Sequence, residues 1–286
     1  QKADPLYRSI GAFVPADFLE NAIEIQAQIG VFSAQYSHSR ATDNLNNVAS
    51  ILKSNTRRHT ASLSAAPAAL FNGQPKWLPM VSYNFDRTHQ FGDHPPENGG
   101  FLEIHIPDQM SHLHNASLDW LGTRWRLGYR LGLSSQDNRQ AGRENADFKN
   151  VNNTFSFGLN PFRILEVGVD ISLEQAESKE LGCKDLTNNI GVNVAVQTTS
   201  TSTLLANFNT THARDNPRTN ERNNSLATVQ WSLRFNLMRG VNTSLLQGQI
   251  FIRYARQKSD FRDQIFAFTD SQDNWSINSG VSLSLF

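Results

Sequence analysis

The chain has 286 residues, with 26 Lys+Arg against 26 Asp+Glu and a formal net charge of zero. That balance excludes the basic footprint of a nucleic-acid binder. No run of about 18 apolar residues exists, which excludes a transmembrane helix. The single cysteine, Cys183, excludes an intramolecular disulfide and Cys-based metal sites. The length suits one large or two medium domains. Mean hydropathy is −0.46, yet an alternating chain can be that polar on average and still carry a wholly apolar face. Gln1 opens the chain without Met or a secretory signal, as expected of a mature or trimmed chain.

Residues 1–20 hold two prolines and no clear period, and read as a lead-in segment. In 21–40, Ile23, Ile25, Ala27, Ile29 and Val31 alternate with Glu24, Gln26 and Gln28. The parity slips beside Gly30 and continues at Phe32, Ala34 and Tyr36, which predicts one strand with a β-bulge. The polar stretch 41–55 reads as a loop. A weaker strand follows at 56–66, a prolyl break at 67–79 and a strand at 80–90. A long loop spans 91–109, within which 101–106 alternates and would extend the next strand.

The clearest pattern is 110–135. Ala116, Leu118 and Trp120 share one face, and after Leu121-Gly122-Thr123 the faces restart. Trp125, Leu127, Tyr129, Leu131 and Leu133 then oppose Arg124, Arg126, Gly128 and Arg130. Similar strands are predicted at 151–159, 163–174, 186–197, 202–212, 224–236, 243–256 and 274–286. Short connections near 121–123, 160–162, 198–201 and 237–242 alternate with long polar ones near 41–55, 91–109, 136–149, 175–185, 213–223 and 257–273. Strict alternation of this kind marks an up-and-down meander whose two ends face different compartments. About 12 strands of about 10–13 residues, tilted by about 45°, would span roughly 25–30 Å, the thickness of a hydrocarbon layer.

On these features residues 21–286 resemble a Gram-negative outer-membrane β-barrel of the porin-like kind. The resemblance implies an all-β, antiparallel up-and-down transmembrane β-barrel in the bacterial outer membrane. An even strand count would leave both termini periplasmic. It implies lipid and lipopolysaccharide around the barrel, and recognition of the terminal Phe286 by the barrel assembly machinery. Phe286 falls off the apolar parity held by Val281, Leu283 and Leu285.

Within such a barrel, Arg124, Arg126 and Arg130 would form a basic wall, and Glu166, Asp170 and Glu174 an acidic one. Opposed walls set a transverse field and ion selectivity; paired across the intervening strand, the same charges would instead plug the lumen. Arg234, Arg253, Glu24 and Asp86 are further lining candidates. Trp120, Trp125, Tyr129, Trp275 and Tyr36 suit an interfacial aromatic girdle. His112 and His114 share a face near His105. That spacing could chelate a metal, but an interfacial place beside lipid headgroups fits their apolar parity better, and no metal or other cofactor is expected. A hydrolytic barrel would need sets such as His212 with Asp215 or Ser117 with His114. Neither carries a nucleophile motif, so an enzyme is not expected. The function implied is a channel for passive or charge-selective passage of small hydrophilic solutes. The alternative is an export or anchoring barrel, the membrane part of a longer chain or complex with protein partners that moves polysaccharide or protein. Cys183 has no assigned role.

Overall fold

The computed structural model describes residues 2–3, 18–46, 52–73, 75–93, 102–216, 219–239 and 244–285. They form one antiparallel sheet in sequence order. Its strands are β1 (Lys2–Ala3), β2 (Phe18–Ile29), β3 (Phe32–Asp43), β4 (Ser54–Ala65), β5 (Met80–Gly92), β6 (Asp108–Leu121) and β7 (Trp125–Asn138). They continue as β8 (Phe148–Phe162), β9 (Leu165–Ser178), β10 (Cys183–Gln197), β11 (Ser202–Asn216), β12 (Asn220–Arg239), β13 (Ser244–Asp263) and β14 (Phe268–Leu285). A meander of this kind is the strand plan of outer-membrane barrels.

The chain divides into two compact units. Unit 1 comprises 1–118, 130–152 and 176–184; unit 2 comprises 119–129, 153–175 and 185–286. In unit 1 the ladder of β2 to β5 places Ile25, Tyr36, Ala61 and Phe85 in one cross-strand row, and Ala34, Leu63 and Tyr83 in the next. The opposite face carries Glu24, Ser37, Thr60 and Asp86. In unit 2 the ladder of β11 to β14 aligns Leu204, Trp231 and Ile252, then Ala206, Val229, Tyr254 and Ile277. Its opposite face carries Asn207, Thr228, Gln230, Arg253 and Asn278. Both ladders therefore have one apolar and one polar face, as period-two alternation requires.

The apolar face is not covered by protein. Among the described residues Met110 is the one buried hydrophobic side chain, while Ile25 is 60% and Val281 65% exposed. A water-soluble sandwich would bury such a face against a second sheet.

Three expectations change. Residues 21–40 are two strands: Ile29 and Phe32 are register partners across Gly30-Val31, and Gly30 has φ +58°. A two-residue reversal shifts parity by one, just as a bulge does, so the two look alike in sequence. The described residues therefore form thirteen long strands plus the two-residue β1, rather than the expected twelve. Second, the polar stretches 213–223 and 257–273 are mostly strand, with β11 reaching Asn216, β12 starting at Asn220, and β13 and β14 separated only by 264–267. These strands continue past the apolar rows with polar residues on both faces, which erases the alternation but not the ladder. Third, Glu103–His105 is a 3-10 turn and β6 begins at Asp108, so the 101–106 stretch does not extend that strand. β2 opens at Phe18, inside the expected lead-in. Phe286 lies outside the described residues.

Candidate functional site

The polar face of unit 1 is built from small hydroxyl side chains. Ser33 and Ser64 Oγ atoms are 2.7 Å apart, Ser37 Oγ and Thr60 Oγ1 2.6 Å, and Ser82 and Ser117 Oγ 2.8 Å. Several of its charged groups have hydrogen-bonded neighbours. Gln35 Nε2 donates to Glu24 Oε1 at 2.7 Å, and Arg58 Nε donates to Asp86 Oδ2 at 2.9 Å. Short side chains satisfied by one another leave such a face wet and unobstructed.

In unit 2 one residue of each expected wall meets the other. Arg126 Nη2 lies 3.3 Å from Glu166 Oε1, although β8 runs between their strands. Gly158 of β8 makes this possible: a Cβ there would collide with the Arg126 side chain. Gly168 of β9 is covered in the same way by the Asn193 amide. Glycines on the polar parity thus let long side chains lie flat along the sheet. Arg124 is not in a strand; it sits in the 122–124 connection, where its Nη1 donates to the Pro161 carbonyl at 3.3 Å. A cavity of about 750 Å³ at that end is lined by Arg124, Arg163, Glu166 and Gln197. Asp170 and, in unit 1, Arg130 are exposed on the polar parity, and Glu174 is half-buried. Arg253 stands in register with Gln230 and Asn278, and Arg234 with Gln249.

The aromatic residues lie on the apolar parity. Trp275 is 69% exposed, Tyr36 42% and Trp125 39%. Trp120 shares a face with Leu118 at the end of β6. Tyr129 O–H donates to Asn153 Oδ1 at 2.9 Å and its ring is 4.8 Å from that of Phe155. Trp231, outside the expected girdle, donates from Nε1 to Ser202 Oγ at 2.8 Å.

His114 Nδ1 is 2.8 Å from Tyr83 Oη, and its ring is 4.9 Å from Phe85. Among the described residues no group of three His, Cys, Asp or Glu side chains is placed to hold a metal. The two hydrolytic sets are not assembled. His212 pairs with Asn223 and Glu221 on the parity of Phe208. Asp215 is on the other parity, accepting from the Asn220 backbone N–H at 2.8 Å. Ser117 bonds Ser82 on the polar face, away from His114.

Sequence reading missed one group entirely: His38, Arg40, Arg57, His59, Arg87 and His89. They continue the apolar parity of β3, β4 and β5. The signal was basic residues two apart at the same end of three successive strands.

No family model and no curated relative matches the chain. Among solved structures it is similar to in-vitro folded OmpT, an outer membrane protein of Vibrio cholerae, at 8% identity and TM-score 0.41, over 93% of this chain and 95% of that one. It is also similar to the loop L8 deletion mutant of that OmpT, at 10% identity and TM-score 0.42, over 93% and 97% of the two chains.

Proposed function

We propose that the chain is an outer-membrane β-barrel whose sheet closes around a wet lumen and passes small hydrophilic solutes. The observation that carries this reading is the uncovered apolar face, with Met110 as the one buried hydrophobic side chain among the described residues. Such a face is stable against lipid and unstable against water. The opposite face, of Ser, Thr, Asn, Gly and paired charges, suits water. Closure satisfies the backbone N–H and C=O groups that a sheet edge would leave bare in hydrocarbon. Solutes diffuse along the hydroxyl-lined face. The Arg126–Glu166 pair and the exposed Arg130 and Asp170 bias which ions pass. Reconstitution of the purified chain in a planar bilayer tests the reading. Stepwise ohmic conductance is expected; a chain that inserts fully, by protease protection, and never conducts would overturn it.

A further inference from the structure

The apolar face of unit 1 ends abruptly in basic residues. Above the row of Ile25, Tyr36, Ala61 and Phe85 comes a row of Ile23, His38, His59 and Arg87. Above that come Asn21, Arg40, Arg57 and His89. His112 of β6 lies against the Phe85 ring. Tyr36 Oη is 2.9 Å from His59 Nδ1, so aromatic hydroxyls and imidazoles meet at the boundary. The His38 and His59 rings are 4.4 Å apart, and His38 Nδ1 is buried without a hydrogen-bond partner.

Among the described residues no carboxylate pairs with Arg40, Arg57 or Arg87. The Arg57 guanidinium instead lies 4.9 Å from the Phe91 ring centre, and Arg87 Nη2 is 3.4 Å from Met110 Sδ. His89 alone in these two rows has a carboxylate, Asp108 Oδ1 at 2.9 Å. Asp137, farther along the same face, is paired with Arg139. Arg40 and Arg57 are direct cross-strand partners, and like charges directly opposite each other on a sheet repel.

Several cations elsewhere do have carboxylate partners. Arg58, one residue from Arg57 but on the other face, is held by Asp86. In unit 2, Arg256, in the row of Ala227 and Trp275, is held by Asp273, and Lys258, in the next row, by Asp260. The basic belt differs in bordering an uncovered apolar face, and that position says what would neutralise it.

We propose that this belt binds the phosphate-bearing headgroups of anionic lipids whose acyl chains cover the apolar rows below it. The proposal rests on the membrane reading above. Guanidinium matches phosphate oxygens in charge and bidentate geometry, and imidazoles add donors when protonated. A lipid is favoured over a free anion because the apolar rows beneath the belt are themselves uncovered.

The test reconstitutes the full chain in phosphatidylcholine vesicles containing a trace of spin-labelled phosphatidic acid or spin-labelled phosphatidylcholine. The immobilised fraction of each label gives its relative affinity. The wild-type chain is expected to prefer phosphatidic acid by about fivefold for each guanidinium engaged. The variant Arg40→Gln/Arg57→Gln/Arg87→Gln is expected to lose that preference. Arg256→Gln/Lys258→Gln, with its pairs in unit 2, is expected to keep it. Insertion into phosphatidylcholine alone is checked first by protease protection. Failure there sinks the membrane reading. Insertion with no preference for phosphatidic acid, or equal preference in both variants, overturns the belt. Loss of the preference on adding inorganic phosphate, at matched ionic strength, would mean a free-anion site and overturn the lipid assignment.

Discussion

The apolar faces of β3–β5 and of β12 and β14 follow one plan, but their apolar rows differ in length. On β12 the row from Ala227 to Phe235 is apolar throughout, and on β14 the row from Trp275 to Leu283 is interrupted only by Ser279. At about 3.3 Å per residue such a row runs roughly 30 Å along the strand. On β3 the row from Phe32 to Tyr36 runs only about 17 Å before His38. Beyond the row, unit 2 turns to ion pairs, while in unit 1 no carboxylate among the described residues pairs with Arg40, Arg57 or Arg87. Period-two alternation therefore sets which residues share the uncovered apolar face; how far that face extends is a separate property, set by where the parity changes from apolar to charged.

The largest effect expected is from charge placed on the apolar rows. Val229→Arg and Leu63→Arg should each cost about 2–4 kcal/mol in urea unfolding from lipid vesicles. Gln230→Arg, on the polar face, should stay within about 0.5 kcal/mol. His59→Arg should also be tolerated to within about 0.5 kcal/mol, because it lies in the belt. Equal costs at Leu63 and His59 would erase the difference between the two units.

Gly30→Ala should come next, at about 1–2 kcal/mol, because a side chain at φ +58° is strained. The same assay measures it, and a neutral result would mean the hairpin reshapes freely. Glu166→Gln should cost only about 0.2–1 kcal/mol, as an exposed pair does. Its clearer readout is the reversal potential in a salt gradient, which should move toward anion selectivity once Arg126 is released.

Asp147 gives the smallest effect, visible only in pH. Hydrogen bonding from the Asn138 backbone N–H, and then from Lys179, holds its carboxyl below the ordinary value of 3.8. The folded-state pKa is depressed, so its contribution is present above the unfolded value and lost as pH falls through the folded one. Asp147→Asn should differ from wild type in urea midpoint at neutral pH and converge with it in acid below the ordinary carboxylate range.

Much of this was legible in the amino-acid order. The hairpin of β6 and β7 is where Trp120, Trp125 and the alternating leucines put it, and the parities of Arg126, Glu166, Arg234 and Arg253 hold in the ladder. The reversal at Gly30 was hidden because turn and bulge shift parity alike; the only clue was that 21–40 is long for one strand. The outer parts of β11 to β14 were hidden because polar residues on both faces look like loop. Pairing of Arg126 with Glu166 across the intervening strand was one of two alternatives the order left open, and Gly158 on the intervening polar parity clears its path. The belt was overlooked because each strand contributes only two of its residues, and the row exists only once registers are known.

The most direct measurement is a nitroxide scan of positions 226–235 in a Cys183→Ser background reconstituted in bilayers. Collision with oxygen, which concentrates in lipid, should peak at 227, 229, 231, 233 and 235. Collision with a water-soluble relaxant should peak at the positions between. Two curves in phase with each other, or no alternation at all, would contradict a sheet with lipid on one face and water on the other.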